Sequence, residues 1–96
     1  MMVLVTYDVA TGTLAGRRRL HRVAKACKDF GLRVQNSVFE CIVEPARWEE
    51  LKHRLLGIYN PRTDSLRFYK LGANWRRRVE HHGAKETPDL EGPLVI

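Results

Sequence analysis

The sequence has few of the features that mark secreted, membrane or zinc-binding proteins. It contains only two cysteines, Cys27 and Cys41, with no CxxC spacing. Each lies in an apolar run, so we expect buried free thiols in a reducing compartment. No apolar stretch approaches the roughly 20 residues of a membrane helix, and the first residues lack a basic secretory leader. The sequence therefore predicts a cytoplasmic protein with no membrane contact.

Residue sets typical of metal scaffolds and of serine hydrolases are also missing. The four histidines, His21, His53, His81 and His82, show no metal-ligand spacing. We expect all four to lie on the surface. Ser37 has no evident base near it in sequence, so a serine nucleophile is not expected.

Acidic residues are outnumbered by basic ones. Eleven Asp and Glu face seventeen Lys and Arg, which gives a formal net charge of +6. Twelve of the seventeen cations are arginine, whose planar fork matches phosphate oxygens better than the point charge of lysine. This bias favours a nucleic-acid partner, the alternative being a solvated charged surface.

Apolar patterning predicts a chain of alternating strands and helices in one domain. We expect a strand over residues 2–9 and a helix from the 11–13 loop to about Phe30. Residues 33–43 predict one bent strand or a ribbon broken near Asn36. A second helix starts at Glu44-Pro45 and ends at Asn60-Pro61, with a core stripe of Trp48, Leu51, Leu55 and Ile58. A strand over 64–71 follows.

Counting the ribbon as two strands gives the α+β, ferredoxin-like βαββαβ order. Helices then cover one sheet face and leave open the face that carries Leu4, Thr6 and Asp8. A second copy of the sheet is the simplest cover, which predicts a homodimer. We divide the chain into a domain over 1–73 and an extension over 74–96 that packs on the partner. The aliphatic end, 94–96, would pair on a sheet edge, the alternative being a frayed terminus.

Two arginine clusters are candidates for phosphate binding. Arg17, Arg18 and Arg19 lie in the opening turns of the first helix, where cations are unfavourable by about 0.3–1 kcal/mol each. Cations beside free backbone N–H groups make a phosphate cradle. The alternative is a run of solvated charges on the helix surface, for which Arg22 alone would be enough. The second cluster, Arg76, Arg77 and Arg78, follows Trp75 and would grip phosphate without reading sequence.

Asp8 is the strongest single candidate for chemistry. It is one of four aspartates and ends an otherwise apolar strand, so its carboxylate needs a partner. It either caps the 11–13 turn or meets a second Asp8 across a two-fold axis. Two carboxylates that close resist joint ionisation, and a divalent cation relieves that repulsion. Mg²⁺ is held by one or two carboxylates and waters, which suits phosphodiester cleavage.

Several blocks resemble the CRISPR-associated protein Cas-two family across essentially the whole chain. They are VLVTYDV (3–9), the Arg-rich first helix, RVQNSVFEC (33–41) and DSLRFY (64–69); RVQNSVFE is the most specific. The closing VEHHGAKET (79–87) and GPL (92–94) are similar to the subtype I-C branch.

The resemblance implies a ferredoxin-like homodimer whose C-terminal strand reaches the partner subunit. It also implies that Asp8 lies at the dimer cleft as the ligand of Mg²⁺ or Mn²⁺. Tyr7, arginines 17 to 19, Ser37 and Phe39 match positions near that cleft. The family includes metal-dependent nucleases of single-stranded RNA or double-stranded DNA, and it partners the Cas-one integrase in spacer insertion.

Three hypotheses follow. In the first, the protein is a Mg²⁺-dependent endonuclease in which Asp8 holds the metal, with Glu40 a candidate base only by proximity. In the second, it is a non-catalytic duplex-DNA clamp that bridges the Cas-one integrase. The third, a ferredoxin-like RNA binder that exposes Tyr7 and Phe39, ranks last because the expected aromatic motif is absent.

Overall fold

A computed structural model describes residues 1–83 of the chain as an α+β structure. Four strands, two helices and a short 3-10 turn follow one another in the predicted order. The strands are β1 (Met2–Asp8), β2 (Leu32–Gln35), β3 (Val38–Ile42) and β4 (Ser65–Gly72), and the helices are α1 (Leu14–Lys28) and α2 (Pro45–Ile58).

The four strands form one antiparallel sheet in the order β2-β3-β1-β4. The central strand, β1, pairs with β3 on one side and with β4 on the other. This order, with a helix between β1 and β2 and another between β3 and β4, is the ferredoxin-like topology. The predicted fold class is confirmed.

Both helices pack on the same face of the sheet. The core joins Val23, Cys27 and Leu51 of the helices to Val3 and Val5 of β1, and all five are fully buried. We call this side the helix face. The alternate residues Leu4 and Thr6 are half-buried and Asp8 is exposed. We call their side the open face, because neither helix covers it.

The residues 33–43 form the ribbon rather than one bent strand. Asn36 and Ser37 make the turn between β2 and β3, and the β2–β3 register shifts between Arg33 and Gln35. Val38 follows a two-residue polar turn, which favours a hairpin over a continuous strand.

Local signals position the helix ends. Thr13 caps α1 by accepting a hydrogen bond from the Gly16 amide at 3.0 Å, and Pro45 occupies the first turn of α2. A Cβ at Gly16 would collide with the carbonyl oxygen of Ala10, so glycine lets the helix start close against the end of β1. The first helix ends at Lys28, two residues before the predicted end, because the amides of Phe30 and Gly31 both turn back to the carbonyl of Cys27.

The core stripe of α2 is confirmed: Trp48, Leu51 and Leu55 are buried and Ile58 packs against them. Cys27 and Cys41 are free and buried, as expected, and burial raises the pKa of Cys27 to about 12. Among the described residues, no helix has the length and apolarity needed to cross a membrane. The predicted edge pairing of residues 94–96 lies outside the described part of the chain, and the division at residue 73 stays a prediction.

Candidate nucleic-acid interface

Most of the candidate residues gather at one end of the sheet. There β1 ends at Asp8, β4 begins at Ser65 opposite Asp8, and the β2–β3 turn approaches through a hydrogen bond from the Tyr7 amide to the carbonyl of Ser37 (3.1 Å). The start of α1 lies at the same end, because only the 9–13 loop separates it from Asp8. The sheet divides these residues between its two faces.

Asp8 is exposed on the open face at this end. Its carboxylate has no hydrogen bond or ion pair to any of residues 1–83. The 11–13 turn, which Asp8 could have capped, is held by Thr13 and by Asp64, whose Oδ1 accepts from the Ala10 amide at 3.1 Å. The Asp8 carboxylate is therefore available to a ligand.

Along the length of β1, the open face mixes apolar and charged side chains. Leu4, Val38 and Ile42 are half-buried, and Tyr69 is 40% exposed. Glu40 lies opposite Leu4 on β3, four residues along β1 from Asp8, which is roughly 13 Å at the usual rise of a strand, so within one chain it lies apart from the Asp8 carboxylate. Burial raises the pKa of Glu40, against a smaller lowering by His81, which is the direction required of a carboxyl group that works as a base nearer neutral pH.

The three arginines of the first cluster have different surroundings. Arg19 donates from Nε to Oδ2 of Asp64 at 2.9 Å, and its side chain is only 19% exposed. Arg17 is exposed and reaches the carbonyl of Thr11 at 3.4 Å. Arg18 is exposed and has no ion pair with the described residues. Arg17 and Arg18 can therefore meet a phosphate, whereas Arg19 is already occupied.

Asp64 is the functional neighbour that sequence reasoning missed. Its side chain is fully buried and accepts four hydrogen bonds, from Arg19, from Thr63 Oγ1 and from the amides of Ala10 and Asn60. It thereby ties the loop after Asp8 to α1 and to the start of β4. The turn signal Asn60-Pro61 before it was visible in the sequence, but its partners lie up to 54 residues away.

These contacts also set the ionisation of Asp64. Burial acts to raise the pKa of its carboxyl group. The hydrogen bond from Arg19, followed by those from the amides of Asn60 and Ala10, outweighs burial and holds that pKa well below its ordinary value. Asp64 is thus a fixed anion of the structure.

Tyr7 and Phe39 lie on the helix face, opposite Asp8. Their rings stack with centroids 6.2 Å apart, and both are buried. Arg33, which sequence reasoning did not single out, lies 5.1 Å from the Phe39 centroid and lines a cavity with Tyr7 and Ser37. The three predicted supporting residues thus share an end of the sheet with Asp8, but Tyr7 and Phe39 do not share its face.

The second arginine cluster lies at the other end of the sheet. It follows β4, whose last residue, Gly72, pairs with Met2. Trp75–Arg77 form the 3-10 turn, and Arg76 stacks on Trp75 at 4.6 Å. Arg78 donates to the carbonyl of Leu71 at 3.2 Å. Within one chain, this cluster does not join Asp8.

The four histidines are exposed, as expected.

One chain offers few metal ligands. Residues 1–83 contain no group of three His, Cys, Asp or Glu side chains that could hold a metal ion. Asp8 fits Mg²⁺ as one exposed oxygen ligand without a partner among residues 1–83, because that ion commonly takes one or two carboxylates and keeps several waters.

Comparisons with known proteins agree with this fold. A family model described as CRISPR associated protein Cas2 matches residues 1–79. A Chlorobaculum tepidum protein named CRISPR-associated endoribonuclease Cas2 is 62% identical over 96 residues, which cover 100% of both chains. A Halalkalibacterium halodurans protein named CRISPR-associated endonuclease Cas2 is 53% identical over the same span.

A solved structure agrees as well. The crystal structure of Streptococcus pyogenes Cas2 superposes with a TM-score of 0.74 at 65% identity, covering 86% of this chain and 100% of that chain. The chain belongs to the CRISPR-associated Cas2 family.

Proposed function

We propose that this protein is a homodimeric, Mg²⁺-dependent endonuclease of CRISPR adaptation, with Asp8 as its metal ligand. One observation carries the proposal: Asp8 is exposed on the open face and has no partner within residues 1–83, although it ends a strand whose helix face is buried. A charged group kept at such a place without a structural partner is available for chemistry.

The dimer follows from the open face. Its apolar members, including Leu4, Val38 and Tyr69, are partly exposed in the single chain, and stacking two such faces removes them from water. A two-fold axis near the end of β1 brings two Asp8 carboxylates together. Their repulsion favours a bound divalent cation, either Mg²⁺ or Mn²⁺.

The substrate would be held by this end of the sheet. Arg17 and Arg18, exposed beside the end of β1, would bind backbone phosphates, while Arg19 and Asp64 hold the connecting loop in place. A bound metal ion would polarise a phosphate and lower the pKa of a coordinated water. Arg76, Arg77 and Arg78 would extend the phosphate-binding surface across the dimer.

The name endoribonuclease carried by relatives favours RNA as the substrate, for which we propose single-stranded RNA. The name of the Halalkalibacterium halodurans relative, endonuclease, specifies no nucleic acid, and double-stranded DNA is our second choice. We place the protein in the cytoplasm, in the subtype I-C branch, as a partner of the Cas-one integrase in spacer insertion and antiviral defence.

A second candidate function is a non-catalytic duplex-DNA scaffold for that integrase. The lack of any three-ligand cluster in residues 1–83 favours it, and so does the charge. Doubling the chain gives 2 × 6 = +12, which suits a protein that follows a phosphate backbone.

Cleavage assays separate the two. Single-stranded RNA and duplex DNA are incubated with Mg²⁺, Mn²⁺ or EDTA and the wild type, Asp8→Asn or Asp29→Asn, an exposed aspartate near the far end of α1. The endonuclease proposal expects metal-dependent cleavage that only Asp8→Asn abolishes, in dimers of equal fold. Uncut substrates, or equal cleavage by Asp8→Asn, would reject it. Duplex binding retained by Asp8→Asn without any cleavage by the wild type would support the scaffold.

A further inference from the structure

The helix face carries a cavity that the proposed cleavage mechanism does not use. It has a volume of about 700 Å³ and lies between α1 and the β2–β3 hairpin. Pockets that bind small ligands commonly measure about 300–1,000 Å³. Because Tyr7 lines it and points away from the open face, the cavity lies across the sheet from Asp8.

The cavity is positively charged. Lys25, Lys28 and Arg33 line it together with His21, and no carboxylate does so among the described residues. Lys25 lies 3.5 Å from Asp29 and is partly neutralised. Lys28 and Arg33 have no carboxylate partner within residues 1–83. Two cations without a carboxylate partner among these residues, Arg33 being also in contact with the Phe39 ring, favour a phosphate group at the edge of a concave site.

The rest of the lining suits a flat heterocycle. Leu20 and Ala24 of α1 supply an apolar wall, and Asn36 and Ser37 supply amide and hydroxyl groups at the hairpin turn. The Tyr7 hydroxyl fixes that turn by donating to the main-chain carbonyl of Asn36 at 3.2 Å, which leaves the Asn36 side chain to other partners. An apolar wall with a few placed polar groups is typical of a ligand pocket.

We propose that this cavity binds a nucleoside phosphate, with the phosphate at Lys28 and Arg33 and the base between the α1 wall and the hairpin turn. The nucleotide is either free or the end of a single strand. The site extends beyond the proposed cleavage function, because neither Asp8 nor the exposed Arg17 and Arg18 line it and because it lies on the other face of the sheet.

A neighbouring cavity does not have the same character. It measures about 460 Å³ between α1 and α2 and is lined by Arg22, His53 and Arg54 among others. Arg54 is paired with Asp29 at 3.2 Å. The lining includes no amide or hydroxyl side chain among the described residues, so it lacks the groups that would recognise a base.

Calorimetric titration tests the proposal with the wild-type protein. The probes are four nucleoside monophosphates, inorganic phosphate, the matching unphosphorylated nucleosides and a 5′-phosphorylated trinucleotide. We expect at least one monophosphate to bind about tenfold or more tightly than inorganic phosphate or its nucleoside, since the phosphate and the base each add contacts of their own. Equal affinity for monophosphate and inorganic phosphate would overturn the proposal.

Matched variants locate the site. Lys28→Gln and Arg33→Gln should each weaken monophosphate binding about tenfold, with fold checked by circular dichroism. Lys52→Gln removes the same charge on α2 away from the cavity and should bind as the wild type does. Asp8→Asn should also bind normally, whatever its effect on cleavage. Loss of binding in Asp8→Asn, or no loss in both cavity variants, would reject this placement.

The trinucleotide identifies the source. Tighter binding of the trinucleotide than of the monophosphate supports a strand end, and tighter binding of the monophosphate supports a free nucleotide. If only the nucleosides bind, the phosphate assignment is wrong.

Discussion

Asp8 and Asp64 are neighbours in the sheet with opposite surroundings. Asp8 ends β1 opposite Ser65, and Asp64 is the residue just before Ser65. Asp8 is exposed and has no partner among residues 1–83, whereas the buried carboxylate of Asp64 accepts four hydrogen bonds. A carboxylate with every lone pair engaged holds structure together, and only the unengaged one is available to a metal or substrate.

The same contrast divides the arginines of α1. Arg19 neutralises Asp64 across a sequence separation of 45 residues, and Arg17 and Arg18 face solvent. The cluster RRR thus contains one structural arginine and two that can bind phosphate.

Asp64→Asn should lower the free energy of unfolding by about 3–5 kcal/mol, because it leaves Arg19 without its counter-charge and turns an amide toward buried N–H donors. Urea denaturation measures the loss. Asp29→Asn, which removes an aspartate from the exposed pair with Arg54, is the control and should change little. A loss as small as that of the control would show that Asp64 is not the structural anion described above.

Acid should unfold the protein partly through Asp64. Because its folded pKa lies below its unfolded one, Asp64 stabilises the fold fully above about pH 4, the ordinary value of an aspartate. That stability is lost as the pH falls below this value toward the folded pKa. Urea midpoints of the wild type should therefore drop between roughly pH 4 and pH 2, and Asp64→Asn should show a flatter profile. Parallel profiles would contradict the assignment.

Arg19→Gln should cost about 1–3 kcal/mol of stability, because it removes a charge-assisted hydrogen bond from a buried carboxylate. Arg18→Gln removes the same charge from an exposed position one residue earlier and should change stability by less than about 0.5 kcal/mol. Thermal unfolding of the two variants side by side makes the comparison. Equal losses would erase the distinction between the two arginines.

For nucleic-acid binding we expect the exposed arginines, which contribute little to stability, to have the larger effect. Arg17→Gln and Arg18→Gln should each reduce the salt dependence of binding by about one unit of slope, as for a lost phosphate contact. Filter binding of single-stranded RNA and duplex DNA over a salt series measures the slope. Unchanged slopes in both variants would exclude them as phosphate ligands.

Local rules predicted much of the fold. Alternation along β1, the 3, 4, 3 spacing of the α2 stripe and Pro45 at the start of α2 each depend on neighbours within a few residues, and all are confirmed. The exposure of Asp8 followed from the same alternation. The sequence left open whether residues 33–43 form one bent strand or a ribbon, because the Asn-Ser turn lacks the glycine that marks most two-residue hairpin turns.

The missed features depend on distant parts of the chain. Nothing in the sequence pairs Asp64 with Arg19, or brings Arg33 to the Tyr7–Phe39 stack, before the sheet has formed.

The proposed mechanism requires two Asp8 carboxylates to work together across a dimer. Its most direct test is a purified heterodimer of one wild-type and one Asp8→Asn subunit, isolated with two different affinity tags and assayed for Mg²⁺-dependent cleavage. If the two carboxylates share one metal site, the heterodimer should be as inactive as the Asp8→Asn homodimer. About half of the wild-type activity, as expected for two independent sites, would contradict the shared site.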